Sequence, residues 1–348
     1  MLYKKELDNL KEYVPGKPIE AVKEEFGLER IIKLASNENP LGPSKKAIQA
    51  IKDEASRVNI YPDTNATELK SVLSKKFNVK KEQIILGNGG EEILKLIGMT
   101  IINEGDEAIM ADPSFMLYDI AISHMGGKAI KIPLTKDFKH DFKKFIEAIN
   151  EKTKVIFVCN PNNPTGNIMT KEEIDYLVEN TRDDIFIVLD EAYFEFASVN
   201  KDYPDGLNIL KKRKNTIILR TLSKVAGLAG VRIGYAFSSE EFVKQISKSK
   251  GVFNVSRIAQ AAAVAAFDDQ DHIANTVKLN YESLKIMTDY FDSINKNYAI
   301  PNANFLFVDL EVDSRMIFDK LQRKGIIIRP GFLWKKDSFI RISSGTIE

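Results

Sequence analysis

Cysteine is almost missing from this sequence. Cys159 is the only one in 348 residues, so no intramolecular disulfide can form and nothing points to an oxidising compartment. Histidine is scarce as well. His124, His140 and His272 lie far apart in the chain, form no ligand pair with a thiol, and give no zinc signature. Excess charge of either sign is also lacking: 50 Lys and Arg against 49 Asp and Glu leave a formal net charge of +1. Bulk electrostatics therefore call for neither nucleic acid nor an anionic membrane. The one conspicuous basic run, Lys211-Lys212-Arg213-Lys214, reads as a solvated connection between a helix and a strand. No apolar run approaches the ~18 residues a membrane span needs. The first residues, Met1-Leu2-Tyr3-Lys4-Lys5-Glu6, open no apolar secretory segment. A cytoplasmic protein without a metal is expected.

What is present is an ordinary globular balance, 44% hydrophobic and 28% charged, on a chain too long for one simple core. Residues 1–39 read as a polar, helical arm, broken at Val14-Pro15-Gly16-Lys17-Pro18, that ends in a short strand at Ile31–Ala35 and a turn-rich stretch. From residue 40 to about 245, apolar strands alternate with amphipathic helices. Strands are predicted at Gln83–Leu86, Glu107–Met110, Lys154–Cys159, Ile185–Leu189 and Thr216–Arg220, with helices such as Glu91–Ile102 and Lys171–Asn180 between them. Continuous β-rich apolar runs suit strands covered on both faces of a mainly parallel sheet. The pattern predicts a doubly wound α/β domain. Residues 246–348 change texture: an Ala-rich helix at Ser256–Phe267, a long helix at Asp271–Asn295, then strand, helix and two short strands, Ile326–Arg329 and Ser338–Ile342. A smaller α+β domain is expected there.

Ligands in such sheets gather at the carboxyl ends of the strands, and the polar residues predicted to fall there form a short list. Gly87-Asn88-Gly89-Gly90-Glu91-Glu92 follows a strand and opens a helix, where free N–H groups can meet an anion. Glu92 stands where a dinucleotide fingerprint would need its third glycine, so a plain strand-to-helix turn explains this loop equally well. Asn160-Pro161-Asn162-Asn163-Pro164-Thr165-Gly166 carries more constraint than a simple turn requires and would aim Asn163 at the strand ends. Asp190-Glu191-Ala192-Tyr193 ends an apolar strand in a carboxylate, which is costly without a charged partner. A helix N-cap is the plainer account, and a protonated pyridine nitrogen the more demanding one. Thr221-Leu222-Ser223-Lys224 places a lysine at the next strand end. Two hydroxyls flank it and Arg232 follows, which is what a Schiff-base lysine beside a phosphate clamp needs; alone, the same lysine could be a surface residue. The order of these elements supplies the groups that pyridoxal 5′-phosphate (PLP) asks of a protein.

With these motifs in place the sequence resembles the fold-type I PLP aminotransferases of class I and II over essentially its whole length. Within them it is most similar to the histidinol-phosphate aminotransferase branch. The resemblance is carried by Tyr13-Val14-Pro15-Gly16-Lys17, Leu34-Ala35-Ser36-Asn37-Glu38-Asn39-Pro40, Tyr61-Pro62-Asp63, Asn162-Asn163-Pro164-Thr165-Gly166, Asp190-Glu191-Ala192-Tyr193, Leu219-Arg220-Thr221-Leu222-Ser223-Lys224, Gly230-Val231-Arg232-Ile233-Gly234 and Arg341-Ile342-Ser343-Ser344-Gly345-Thr346. It implies catalytic roles for Lys224, Asp190 and Tyr193: Lys224 bonds the cofactor and shuttles the proton, Asp190 keeps the pyridine nitrogen protonated, and Tyr193 and Asn163 bond the ring oxygen. Gly89, Gly90, Glu91, Thr221, Ser223 and Arg232 would hold the phosphate. Phe115 would stack on the ring where relatives often carry tyrosine, keeping the stack and losing a hydroxyl. Tyr61 would complete the site of a neighbouring copy, which implies a homodimer, with the arm packing on the small domain and the partner. Arg341 and Arg329 would take the substrate's anionic groups, with Tyr13 and Asn37 closing the site.

The implied reaction is transfer of the amino group of histidinol phosphate to 2-oxoglutarate. A phosphate dianion favours more than one cation, which suits Arg329 with Arg341. Two other enzyme readings stay open: an aromatic or broad-specificity aminotransferase using the same set, and a threonine-phosphate decarboxylase. A PLP-binding effector domain of a transcription regulator is a third class, but such proteins carry a DNA-binding module ahead of this fold, and here the Asn37-Glu38-Asn39-Pro40 segment comes too early.

Overall fold

The computed structural model describes Lys5 and residues 17–348; Tyr13 lies outside the described residues. After a helix at Ile19–Phe26, β1 (Ile32–Lys33) leads into the large lobe. Its sheet comprises β2 (Ile84–Gly87), β3 (Glu107–Asp112), β4 (Lys128–Pro133), β5 (Thr153–Cys159), β6 (Phe186–Asp190), β7 (Thr216–Thr221) and β8 (Gly234–Phe237), in the order β2-β8-β7-β6-β5-β3-β4. Neighbours run parallel except at β8, which is antiparallel to both β2 and β7.

The apolar strands are buried on both faces, and successive residues point to opposite sides. Val155, Phe157 and Cys159 join Val188, Ile217 and Leu219 under the helices Gly89–Ile101 and Glu240–Ile246. Ile156 and Val158 join Ile187, Leu189 and Ile218 on the other face, with Leu69, Leu73, Ile174 and Leu177 from two further helices. Sequence-local signals fix the helix starts. Thr170 and Glu173 form a reciprocal capping box, and Ser44, Ser239 and Ser256 accept from the first turns of their helices.

The small lobe adds β9 (Tyr298–Ala299), β10 (Phe305–Asp309), β11 (Ile326–Ile327), β12 (Arg329–Pro330) and β13 (Phe339–Ser343). Four of these form an antiparallel sheet in the order β12-β13-β10-β9. Leu284 and Phe291 from the long helix Gln270–Ser293, with Ile317 and Leu321 from Ser314–Gln322, cover Leu306, Val308, Ile328 and Ile340.

Three features differ from the sequence reading. The single strand expected at Ile326–Arg329 is two, because the chain changes partner at Ile328: β11 pairs with β1, and β12 with β13. β4, β8 and β9 were not among the predicted strands. β4 lies at the sheet edge, where Lys128 and Lys131 interrupt the apolar run, β8 is four residues long inside the Gly-Tyr stretch after Ile233, and β9 has only two residues. The Ala-rich helix Arg257–Phe267 packs along Lys45–Ala55, and Ala259, Ala262, Ala263 and Ala266 belong to the large core, although the change in composition precedes them.

Candidate active site

Register lines up the strand ends. Cys159 stands opposite Asp190, Thr221 opposite Gly234 and Gly87 opposite Gly234 on its other side, so the loops read as chemical sequence motifs open onto one crevice. Asp190 is 4% exposed. Its Oδ2 accepts from the Tyr118 hydroxyl at 2.7 Å and its Oδ1 from the Ala192 amide at 3.1 Å. Burial pushes its carboxyl up to about 6, against the pull of Tyr118, Ala192 and the Lys224 charge. A buried carboxylate held by donors on both oxygens calls for a cation in front of it.

Lys224 follows β7 and is half-buried. Its Nζ donates to the Ser36 carbonyl at 3.3 Å and lies 5.9 Å from the Tyr193 ring. Burial brings its ammonium down to about 8, helped by Arg341 and Arg232 and opposed by Glu38 and Asp190. The same amine in water would titrate near 10.4, so at neutral pH roughly a tenth of Lys224 is free base and nucleophilic.

Arg232 is in the left-handed region, φ 59°, with Nη1 donating to the Ala229 carbonyl at 3.2 Å. It lies against the glycine loop so closely that a Cβ on Gly89 would fall 2.4 Å from Nη2, and Gly89 itself has φ +77°. A Cβ on Gly234 would meet the Gly90 amide nitrogen at 2.6 Å. Glycine is thus required at Gly89, by its positive φ beside the guanidinium, and at Gly234, where β8 approaches the loop backbone. Thr221 and Ser223 bond each other through their hydroxyls at 3.0 Å. Glu91 pairs with Lys95 at 2.8 Å and lies 4.0 Å from Arg232. Backbone N–H groups, two hydroxyls and a guanidinium converge here at the start of the helix Gly89–Ile101, an arrangement suited to a phosphate.

On the small-lobe side Arg341, in β13, is 6% exposed. It donates to Asn163 Oδ1 and to the Ala35 carbonyl, both at 2.6 Å. Asn163 Nδ2 in turn reaches Tyr193 Oη at 3.4 Å, and Asn37 Nδ2 donates to the same hydroxyl at 3.0 Å. Asn37 is 1% exposed with φ 55°, and is fixed by Ser343 and Asn304. Arg329 stands directly opposite Arg341 in the β12–β13 register. Phe115 is half-buried and meets Tyr118 edge-on, ring centroids 5.6 Å apart. Tyr61 stands apart: its ring is stacked on Phe253 at 4.4 Å and is 75% exposed.

Residues 29–348 match the family model of aminotransferase class I and II. The chain belongs to the class I and II aminotransferases. It is 45% identical to the histidinol-phosphate aminotransferase of Caldicellulosiruptor saccharolyticus, covering 99% of this chain and 96% of the relative. It is 46% identical to histidinol-phosphate aminotransferase 2 of Carboxydothermus hydrogenoformans, over 99% and 95%. A solved histidinol-phosphate aminotransferase from Sinorhizobium meliloti, in complex with pyridoxal-5′-phosphate, superposes with a TM-score of 0.91 over 99% of this chain and 94% of that one, at 26% identity. The fold is therefore the aminotransferase fold, with its mostly parallel sheet and helices on both sides.

Sequence reasoning missed several residues around this aminotransferase's crevice. Tyr118 was not singled out; it lies three residues after Phe115, on the helix that follows it. Asn162, fully buried, accepts from Ser114 and donates to the Pro113 carbonyl and Thr165, and thereby sets the loop that aims Asn163. Ser343, inside the Arg341 motif, anchors Asn37. Among the described residues no helix is long and apolar enough to cross a membrane.

Proposed function

We propose that this aminotransferase holds PLP on Lys224 and transfers the amino group of histidinol phosphate to 2-oxoglutarate, giving imidazole-acetol phosphate and glutamate. The observation that carries the reading is the nearly full-length likeness, at 45–46% identity, to enzymes of that name, joined to a buried Arg341 whose charge acts on Lys224, with Arg329 opposite Arg341 in register.

The residues fit the cofactor. Asp190 is a buried carboxylate on which, among the described residues, the Lys224 charge acts, and a ring N–H⁺ would give it a directly facing cation. The Gly89 loop leaves room only for backbone beside Arg232. When bound, PLP supplies an electron sink for the bond broken at the substrate's α-carbon. Asp190 holds the ring nitrogen. Asn163 and Tyr193 bond the ring oxygen, and Phe115 packs on the ring face. Gly89, Gly90, Glu91, Thr221, Ser223 and Arg232 hold the phosphate. Lys224 then acts as general base and acid at Nζ, a role its titration near 8 favours. Arg341 binds a substrate carboxylate or phosphate and Arg329 strengthens the phosphate site, with Asn37 and Tyr13 bordering it. Tyr61 reaches the site of a second copy; exposed Val58, Ile60, Val252 and Phe253 around it make an apolar patch that a homodimer would cover. A cytoplasmic place in histidine synthesis follows from this reaction.

The deciding experiment is a paired assay. Histidinol phosphate with 2-oxoglutarate should yield glutamate. Release of CO2 from threonine phosphate with no glutamate would overturn the reading in favour of a decarboxylase. Protein reconstituted with PLP should absorb in the visible and Lys224→Ala should not hold the chromophore covalently; a colourless wild type would sink the PLP assignment itself.

A further inference from the structure

Tyr118 is wholly buried on the short helix Leu117–Ser123. Its ring is clamped rather than loosely packed. It stacks on Phe157 at 4.9 Å and 12°, and Phe115 meets it edge-on at 84°. Two aromatic contacts at such angles leave the ring one orientation. In that orientation the hydroxyl donates at 2.7 Å to Asp190 Oδ2, while Ala192 N takes Oδ1.

We propose that Tyr118 is a positioning residue for the amino-transfer reaction, aiming the Asp190 carboxylate at the cofactor's ring nitrogen and keeping it an anion. The inference rests on the PLP reading above. Its physical ground is the isolation of Asp190. The groups that act on it are the Tyr118 hydroxyl, the Cys159 thiol on the neighbouring strand, the Tyr193 and Tyr203 phenols and the Lys224 ammonium. Burial holds the first four protonated at neutral pH, since it raises Tyr118, Cys159, Tyr193 and Tyr203 alike. Lys224 is the one cation among them before a ring N–H⁺ would face the carboxylate. Burial lifts Asp190 to about 6 even with the Tyr118 and Ala192 donors in place, so losing either hydrogen bond would carry it higher. A hydrogen bond to a buried charge is worth about 1–2 pH units of that charge's titration.

The test is PLP affinity of the full chain, stripped of cofactor, as a function of pH. Tyr118→Phe keeps the ring and both ring contacts and removes one oxygen atom. Without that donor Asp190 should titrate about 1–2 units higher. At pH 6.5 the variant should bind PLP roughly ten-fold more weakly than wild type, and the ratio should approach one by pH 9. Titrations of Lys224 and of PLP itself are common to both proteins and cancel in the ratio. A ratio that is constant from pH 6 to 9, at any size, assigns Tyr118 to packing and overturns the inference. In an Asp190→Asn background the Tyr118→Phe change should carry no pH dependence; a dependence that survives there also overturns it. Failure of the wild-type chain to bind PLP at any pH overturns the cofactor assignment and this inference with it, whereas a flat ratio overturns this inference alone.

Discussion

Behind the reactive ends of β6 and β7 lies a buried ion pair whose removal should be felt by the whole large lobe. Arg220 and Glu191 are each 1% exposed. Glu191 Oε2 accepts from Arg220 Nε at 2.8 Å and lies 2.7 Å from Nη2; Oε1 takes the Gly206 amide at 2.9 Å. Arg220 also reaches Asp205 at 3.0 Å and covers the Phe194 ring at 3.4 Å. Burial is the largest single influence and would lower the guanidinium's affinity for its proton, yet Glu191, Asp205 and the other groups around it together outweigh burial and the net direction is upward. Glu191→Gln keeps the shape and removes the charge, leaving Arg220 only Asp205, whose side chain is 44% exposed. Breaking one side of a buried pair typically costs about 3–5 kcal/mol. With an unfolding entropy of about 2.1 cal/mol/K per residue, that lowers Tm by about 4–7 °C if the chain melts as one unit. Differential scanning calorimetry of the cofactor-free protein reads it. The double variant Glu191→Leu with Arg220→Met should recover most of the loss, because apolar replacement of a whole pair is often near neutral. The reasoning is refuted if Glu191→Gln melts within a degree of wild type, or if the two single losses simply add in the double variant.

Three further outcomes are expected. His140 is 2% exposed, neither ring nitrogen has a protein partner, and burial brings it down to about 4 from 6.5. Its neutral form is favoured by folding, so stability is lost as pH falls from 6.5 towards 4, and His140→Leu should flatten the Tm-against-pH curve across that window. Gly89→Ala forces a side chain at φ +77° to within 2.4 Å of Arg232 and should weaken PLP binding at least ten-fold in a fluorescence titration, with the melting temperature lowered by strain. Arg329→Ala should depress kcat/KM for histidinol phosphate by about ten-fold or more while changing that for glutamate far less, as steady-state assays with both donors would show.

The sequence made the central sheet legible where strands are covered on both faces. β5, β6 and β7 are continuous apolar runs, and their terminal Cys159, Asp190 and Thr221 mark where the crevice must be. Chemistry carried by charge was equally visible, since Asp190, Lys224 and Arg232 have little reason to end or follow apolar strands otherwise. The unread elements are those whose existence depends on partners. β4 is an edge strand whose two lysines, three residues apart, point to opposite faces, β8 is antiparallel and four residues long, and β11 and β12 are separate strands because one residue between them changes sheets. Tyr118 escaped notice for a related reason: in the sequence it is one aromatic in an apolar helix, and only the register of β5 with β6 brings its hydroxyl to Asp190. Tyr61 is a different case: its ring stacks on Phe253 and is 75% exposed, and the role proposed for it in a second copy would leave no mark among the contacts of one.

The pairing of β1 with β11, Ile32 against Ile326, has a consequence for the order in which the molecule is made. Synthesis delivers β1 first, but its partner emerges only after the entire large lobe. The segment that follows β1 supplies Ser36 to Lys224 and Asn37 to Tyr193, and β13, later still, supplies Arg341. A growing chain can therefore bury its main sheet while the crevice is still missing one wall. On the assignment proposed above, the lysine and the carboxylate leave the ribosome before the strands that carry Arg329 and Arg341.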